Sequence, residues 1–349
     1  MAVDRGVVLS APGTVALEEI RVEAPGPGEV LVRIEATGVC HSDLHVIEED
    51  GWGHAFPVLL GHEGAGTVVA VGEGDVDVQL HHLQPGDRVV LGWKTSCGQC
   101  PTCLRGEPRR CTHPPAAPGR LFRANGEELT PVLRTGTFAT HTVVAQAAAV
   151  KVPRELPAEQ ACLIGCAVAT GVLSVLETAK VWPGARVAVI GCGAVGLSAI
   201  QGARIAGASE IRALDLDERK LAQALRFGAT HTEPGRVDFV FDVVGRRATF
   251  EQALDMLGTS GTVVLIGLSP AGETVELDLP GLFGRRARIL VSHGGDHLPQ
   301  EDFPRLAQWA LEGKLDLAGL VTRTAPLEGW DDALTAMRSG DVIRTVLTP

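Results

Sequence analysis

Cys97, Cys100, Cys103 and Cys111 stand in the spacing CxxCxxCx7C, and the turn formers Gly98, Pro101, Gly106 and Pro108 between them let a short chain wrap until four sulfurs meet at one centre. Four thiolates around one point form the tetrahedral cage that Zn2+ favours. Two disulfides or an iron–sulfur cluster would use the same side chains. The opening residues, Met1 to Gly6, carry charge and lack the apolar core and cleavage site of a secretory leader. The chain is therefore expected in the reducing cytoplasm, where cysteines bind metal in preference to pairing.

A second constellation is the glycine turn Gly191, Cys192, Gly193, Ala194, Val195, Gly196. GxGxxG alone is a common turn, but here the apolar stretch 186–190 precedes it, a helical pattern opens at Ala194, and Asp215 closes the next apolar stretch, 211–215. That context reads as a dinucleotide site. Gly191 allows the tight turn, Gly193 lets backbone approach a pyrophosphate, and Gly196 lets the helix pack on the sheet, while the helix N-terminus at Ala194 and Val195 offers N–H donors. Asp215 would accept from the ribose hydroxyls and repel a 2′-phosphate, so NAD is expected over NADP.

The elements that must hold these groups follow from length and rhythm. At 349 residues, of which 45% are hydrophobic, the chain suits two domains of roughly 150 residues, each with its own core. Up to about 152 the apolar runs are short and punctuated by Gly and Pro (30–36, 66–72, 87–92), the pattern of an all-β barrel. From 153 the rhythm becomes strand, helix, strand: 186–190, 211–215, 237–244, 261–267 and 288–291 with helical stretches between, which predicts a doubly wound parallel sheet. A helix at 303–312 and a β-like tail at 342–347 follow. The net charge of −11 argues against nucleic acid as a partner. The longest uncharged stretch, 160–176, carries glycines, a threonine and two cysteines and suits a buried segment, so no membrane insertion is expected.

Cys40, His62 and Cys166 are scattered, and by spacing alone each would be a core residue. The segments 40–45 (CHSDLH), 61–66 (GHEGAG) and 165–171 (GCAVATG), taken with the four-cysteine lobe and the glycine turn, occur in the order seen in zinc-dependent alcohol dehydrogenases of the medium-chain dehydrogenase/reductase family. The resemblance spans essentially the whole chain. It implies a GroES-like β-barrel catalytic domain at 1–152 carrying a structural zinc lobe at 97–111, an inserted Rossmann domain at 153–292, a return to the catalytic domain at 293–349, and an active cleft between domains. It further implies that Cys40, His62 and Cys166 hold a catalytic zinc, that Glu63 lies behind the metal and can enter its shell, and that Asp43 orients the zinc histidine. Ser42 and His45 match the family's proton relay. Thr170 matches a residue beside the nicotinamide, Lys220 one near the adenosine ribose, Arg344 one that pairs with the pyrophosphate, and Trp93 an aromatic wall of the substrate pocket. The implied reaction is reversible: zinc acts as Lewis acid on the alcohol, and NAD takes the hydride to leave an aldehyde or ketone.

The chain departs from the best-known animal members at His41, where an arginine usually meets the pyrophosphate, and at His293, near the nicotinamide, where the family carries an apolar residue. Cys162 and Cys192 match no family role and read as small buried residues. The segment 111–136 resembles dimeric members, so a homodimer is expected. Two rivals stand beside a small alcohol or aldehyde as substrate. Residues 90–93, the cysteine lobe and 238–244 are also similar to mycothiol-dependent formaldehyde dehydrogenases and nitrosomycothiol reductases, with Arg120 and Arg123 available for a cosubstrate's carboxylates; His45 favours simple alcohols, because glutathione-dependent relatives usually lack a histidine there. A noncatalytic NAD-binding or redox-sensing protein on the same fold is the other, and the full set Cys40, His62, Glu63 and Cys166 argues against it.

Overall fold

The computed structural model describes residues 3–73 and 82–349. It divides into two compact units, Met1–Cys166 with Leu298–Pro349, and Ala167–His297.

The first unit is built on two sheets. Its spine is the strand Glu29–Gly38, in which Val30, Val32, Ile34 and Ala36 alternate inward while Arg33 faces out. Glu63–Val71 pairs antiparallel along its length, and Arg88–Leu91 and then Ala149–Lys151 extend the sheet on that side. On its other side the chain's last strand, Thr345–Thr348, joins at Gly38 and Thr37 and carries Arg323–Pro326 parallel to itself. The second sheet runs Leu121–Arg123, Thr14–Val22, Asp4–Ala11, Val58–Leu59, Thr130–Pro131. Val7, Leu9, Leu60, Phe138 and Leu347 meet in a core beneath the helix His41–Glu48, which buries Leu44, Val46 and Ile47 there.

The second unit is the doubly wound sheet that the alternating pattern predicts. All five strands are parallel, in the order Glu210–Leu214, Arg186–Ile190, Val237–Asp242, Leu257–Leu265, Arg288–Val291. Val187, Ala188, Val189, Phe239, Val240 and Phe241 are fully buried, as central parallel strands covered on both faces require. The helix Glu218–Phe227 starts on the Asp217 side chain, which accepts the Arg219 N–H at 2.8 Å, and stops at Gly228 in a left-handed turn with φ 115°. At the sheet's edge, Val291 is 68% exposed, and on the preceding helix, Leu279–Arg285, Leu279 is 68% and Phe283 87% exposed.

Residues 153–166, expected with the nucleotide domain, join the first unit, where the turns Ala158–Ala161 and Cys162–Gly165, with Ala161, Leu163 and Ile164 buried, pack on Glu29–Gly38 and Glu63–Val71. The division falls after Cys166 and again after His297. The helix expected at 303–312 begins at Pro299 and accommodates Pro304 in its second turn. Among the described residues no single helix is long and apolar enough to cross a membrane.

Close helix packing fixes one glycine of the second unit. A Cβ on Gly171 would stand 2.3 Å from the Val195 carbonyl oxygen and 2.5 Å from the Ser198 Cβ, whereas one on Gly284 meets nothing within 4 Å. Gly171→Ala should therefore cost about 1–3 kcal/mol in urea unfolding, while Gly284→Ala should be neutral or stabilise by up to about 1 kcal/mol. Equal unfolding midpoints for the two variants would contradict this packing.

Candidate functional site

Where the spine strand ends, Cys40 serves as N-cap of the helix His41–Glu48, and Asp43 in its first turn folds back so that its Oδ2 accepts the Cys40 N–H at 2.9 Å. The other oxygen of the same carboxylate lies 3.1 Å from His62 Nδ1. Because a carboxylate only accepts, Nδ1 carries a proton, and His62 Nε2 is the nitrogen left to face the sulfurs. That nitrogen is fully buried and has no hydrogen-bond partner, and the same holds for both oxygens of Glu63. Ligand atoms of Cys40, His62, Glu63 and Cys166 all lie within 4.8 Å of one another. An orphaned imidazole nitrogen facing two sulfurs and a carboxylate is a donor set that suits zinc.

The electrostatics of this pocket follow from the same contacts. The Cys40 thiol is held well below its ordinary value, chiefly by the hydrogen bond from Cys166 and then by the positive charge of Arg344 and the contact with His62, all against burial. Burial pushes Glu63 up to about 7 although Arg344 opposes it. For His62 burial acts downward, and the Asp43 carboxylate overrides it and raises the imidazole well above its usual range. Arg344 itself is buried, with Nη1 donating to the Val39 carbonyl at 2.6 Å and Nη2 lying 3.3 Å from Glu63 Oε1. The guanidinium expected at a pyrophosphate thus also reaches Glu63 of the donor set, because the strand that follows it pairs beside Gly38. Gly38 is the small residue this needs, since a Cβ there would stand 2.0 Å from Glu63 Oε2.

Trp93 packs with Cys40 and Cys166, and so does Leu133, which sequence reasoning did not single out. Leu133 and Arg134 have φ of 48° and 65°, successive left-handed conformations without glycine, each costing on the order of 1 kcal/mol or more. No sequence signal marks such a turn. His54 holds it: its Nε2 accepts the Leu133 N–H at 3.3 Å, and its Nδ1 donates to the Gly51 carbonyl at 2.9 Å. Ser42 Oγ is 3.9 Å from Cys40 Sγ. His45 is about a third exposed, with Nδ1 2.6 Å from Glu49 Oε1. His41 is exposed in the first turn of the same helix.

The four-cysteine lobe forms a second donor group, with all four sulfurs within 4.8 Å of one another. Backbone N–H groups of Gln99 and Cys100 donate to Cys97 Sγ at 3.5 and 3.2 Å, and that of Cys97 donates to Cys111 Sγ at 3.3 Å. Backbone N–H groups likewise draw Cys100 down to about 4. All eight cysteines are free. The lobe is tethered by Arg109, whose Nη1 lies 2.5 Å from Asp302 at the start of the helix Pro299–Leu311, a long-range pair invisible in the sequence.

In the second unit the glycine turn takes the geometry its residues require. Gly191 has φ 95° and donates to the Leu214 carbonyl, and a Cβ on Gly196 would stand 1.8 Å from the Gly191 oxygen, whereas one on Gly193 meets nothing within 4 Å. Open space at Gly193, beside the N-terminus of the helix Ala194–Ile205 that begins with Ala194 and Val195, fits a pyrophosphate. Asp215 accepts the Cys192 N–H at 2.7 Å and the Asp217 N–H at 3.0 Å, which fixes its carboxylate at the strand end and leaves lone pairs for hydroxyls. Lys220 lies in the first turn of Glu218–Phe227. The Thr170 carbonyl accepts from Ser174 Oγ and Asp296 accepts from Thr178 Oγ1, and the Ser292 hydroxyl lies between the two donors, 2.7 and 3.0 Å away, with one hydrogen to give to either, a cluster the sequence did not reveal. His293 immediately precedes the turn that carries Asp296. Burial pushes the Cys192 thiol up to about 12, the state of an inert buried side chain.

A family model described as alcohol dehydrogenase GroES-like domain matches residues 26–154, and one described as zinc-binding dehydrogenase matches residues 194–312. Over 98% of its length the chain is 35% identical to an S-(hydroxymethyl)glutathione dehydrogenase of Escherichia coli O1:K1 / APEC, 99% of which is covered. Among solved structures it is similar to an alcohol dehydrogenase zinc-binding domain protein from Burkholderia ambifaria, with a TM-score of 0.91 at 34% identity and 99% of each chain covered. Benzyl alcohol dehydrogenase from Acinetobacter calcoaceticus gives a TM-score of 0.89 at 28% identity over 100% of this chain and 99% of that one.

The two donor groups differ in kind: four sulfurs would close a zinc site, whereas Cys40, His62 and Cys166 would leave a fourth position that Glu63 or a substrate oxygen could take. Metal analysis should find two zinc ions per chain, and Cys166→Ser should lose one of them while the circular dichroism spectrum is kept. Asp43→Ala should weaken zinc binding at the same group about 10–100-fold by freeing the imidazole. A single zinc in fully active protein would contradict the assignment.

Proposed function

The chain belongs to the zinc-dependent alcohol dehydrogenases of the medium-chain dehydrogenase/reductase family, oxidoreductases acting on CH–OH, and from that membership we propose that it interconverts a small alcohol and its aldehyde or ketone with NAD as the hydride carrier. The observation that carries this reading is the buried, partnerless His62 Nε2, aimed by Asp43 at the sulfurs of Cys40 and Cys166 in a chain that also bears an NAD-type glycine turn. Cys40, His62 and Cys166 would hold a zinc that supplies Lewis acidity to a substrate oxygen, and the glycine turn would hold NAD, the carrier for the hydride. The chain's own residues do the rest. Asp43 keeps the imidazole in one tautomer, and Glu63, neutralised in part by Arg344, gives the pocket a spare carboxylate. Trp93 and Leu133 supply the apolar wall that excludes water from the reacting carbon. Ser42, beside Cys40, would take the alcohol proton and pass it across the ribose hydroxyls of bound NAD to His45, which is held by Glu49 and reaches solvent.

A thiol-adduct substrate is the second reading, supported by the 35% identity to an S-(hydroxymethyl)glutathione dehydrogenase. Against it, Arg120 and Arg123 are already paired, with Glu29 and Glu18 respectively, and His45 is in place. The exposed edge strand Arg288–Val291 with Leu279 and Phe283 supports a homodimer joined along that edge. Free cysteines throughout are consistent with the cytoplasm.

Two measurements check this. Zinc-loaded protein should oxidise NADH in the presence of an aldehyde panel; no turnover with any of them, with or without glutathione or mycothiol, would leave the noncatalytic reading standing. The wild type should favour NAD over NADP strongly in kcat/KM, and Asp215→Gly should lose NAD affinity and relax the preference. Equal use of both cofactors by the wild type would remove Asp215 from its role.

A further inference from the structure

The second unit holds a buried acid that neither the glycine turn nor the reaction accounts for. Asp242 ends the strand Val237–Asp242 and is fully buried. Among the described residues no cation pairs with it. Its Oδ1 accepts the N–H groups of Val244 and Gly245, each at 3.0 Å. Its Oδ2 lies 3.1 Å from Thr249 Oγ1, which has one hydrogen for that oxygen and for the Arg246 carbonyl. Burial raises the carboxyl above its ordinary value, and the two N–H groups work against the rise. An apolar side chain at a strand end would avoid the cost of burying an acid, so the groups that Asp242 holds must matter.

In the sheet Asp242 stands between Ile190 and Leu265, the last residues of the strands on either side. Its carbonyl accepts the N–H groups of Ile266 and Gly267 at 2.9 and 3.0 Å, and Val243 donates to the Ile190 carbonyl at 2.9 Å. The ends of three strands are thus tied together, with the Asp242 carbonyl holding 266–267 and its carboxylate holding 244–245. The fit is close: a Cβ on Gly267 would stand 2.4 Å from the Gly245 nitrogen. The segment held in this way lies against the glycine turn, since a Cβ on Gly191 would stand 2.8 Å from Val244 Cγ2. Val244 nevertheless remains 40% exposed. It lies at the carboxyl ends of parallel strands, where a doubly wound sheet receives its nucleotide. Asp215 follows Glu210–Leu214, the strand on the other side of Arg186–Ile190, so the glycine turn lies between Asp215 and Val244.

We propose that Asp242 is a positioning residue for the dinucleotide: its carboxylate holds residues 243–245 as an apolar ledge beside the glycine turn, and NAD(H) rests on that ledge through Val244. This rests on the NAD reading above. Asp242 acts as a hydrogen-bond acceptor and through the ledge, without touching the cofactor. Its charge has the sign of a pyrophosphate and gives binding no help. Acceptor and charge are therefore separable: asparagine keeps an oxygen for the Val244 and Gly245 N–H groups and gives up the charge, whereas alanine leaves both donors without an acceptor.

The experiment titrates NADH, by its fluorescence, into the zinc-loaded wild type, Asp242→Asn, Asp242→Ala, Val244→Ala and the double variant carrying both alanines. Asp242→Ala should weaken binding about five- to hundredfold, and Asp242→Asn should retain most of the affinity, within about threefold of the wild type. Val244→Ala, a change at a partly exposed side chain, should cost about three- to tenfold. Because Asp242 acts through the ledge, the double variant should be no more than about twofold weaker than Asp242→Ala alone, whereas a carboxylate that merely stabilises the fold would give losses that multiply. Zinc content should stay at the wild-type value in every variant, since the metal donors belong to the first unit. Asp242→Ser, which keeps one short acceptor, replaces Asp242→Ala if the latter does not fold, and its loss should fall between those of asparagine and alanine. Unchanged NADH affinity in Asp242→Ala or its serine substitute, an asparagine variant as weak as alanine, or multiplying losses in the double variant overturns the proposal while the NAD reading stands. Absence of NADH binding by the wild type overturns both.

Discussion

Everything in the first unit's chemistry depends on one buried carboxylate shared between two donors. Asp43 is fully buried, accepts the Cys40 N–H with one oxygen and meets the His62 imidazole with the other. Taking a carboxylate out of water costs several kcal/mol unless its lone pairs are met, and here a helix cap and an imidazole meet them. The result is a rigid triangle in which the backbone at Cys40 and the ring at His62 cannot move independently. Cys166 and Glu63 then need only reach a centre already defined by that pair, and Arg344 offsets the charge that accumulates there.

Much of this was legible in the residues, but unevenly. The four-cysteine lobe and the glycine turn could be read locally, because their function lies in spacings of two to seven residues that turns close without tertiary help. The alternating strands of the second unit were equally plain, since both-face burial leaves runs such as Val187 to Ile190. Cys40, His62 and Cys166 carry no such signature: they come from a helix cap, a strand approach and a turn, and only the family resemblance joined them. The opposite limit concerns Arg120 and Arg123, which looked like cations awaiting an anion from outside and are met by the protein, because the fold brings Glu29 and Glu18 within reach over long separations.

The left-handed pair Leu133 and Arg134 shows a further limit of local reading. Glycine or asparagine would announce such a conformation, and neither is present. The turn persists because His54, far away in sequence, supplies an acceptor for the Leu133 N–H. The wall beside the donor cysteines is thus specified by a tertiary contact and not by propensity, which is where departures from local rules are expected to gather in an enzyme.

The strand Thr345–Thr348 closes the first unit's spine at Gly38, and Arg344 reaches Val39 across 305 residues. Synthesis therefore delivers the donors long before it delivers the residue that balances their charge. The second unit, a contiguous stretch from Ala167 to His297, has all its strand partners within itself and can consolidate while the first still has an open sheet. The guanidinium that faces the Glu63 carboxylate is thus the part of the first unit's centre that lies farthest along the chain from the donors it serves.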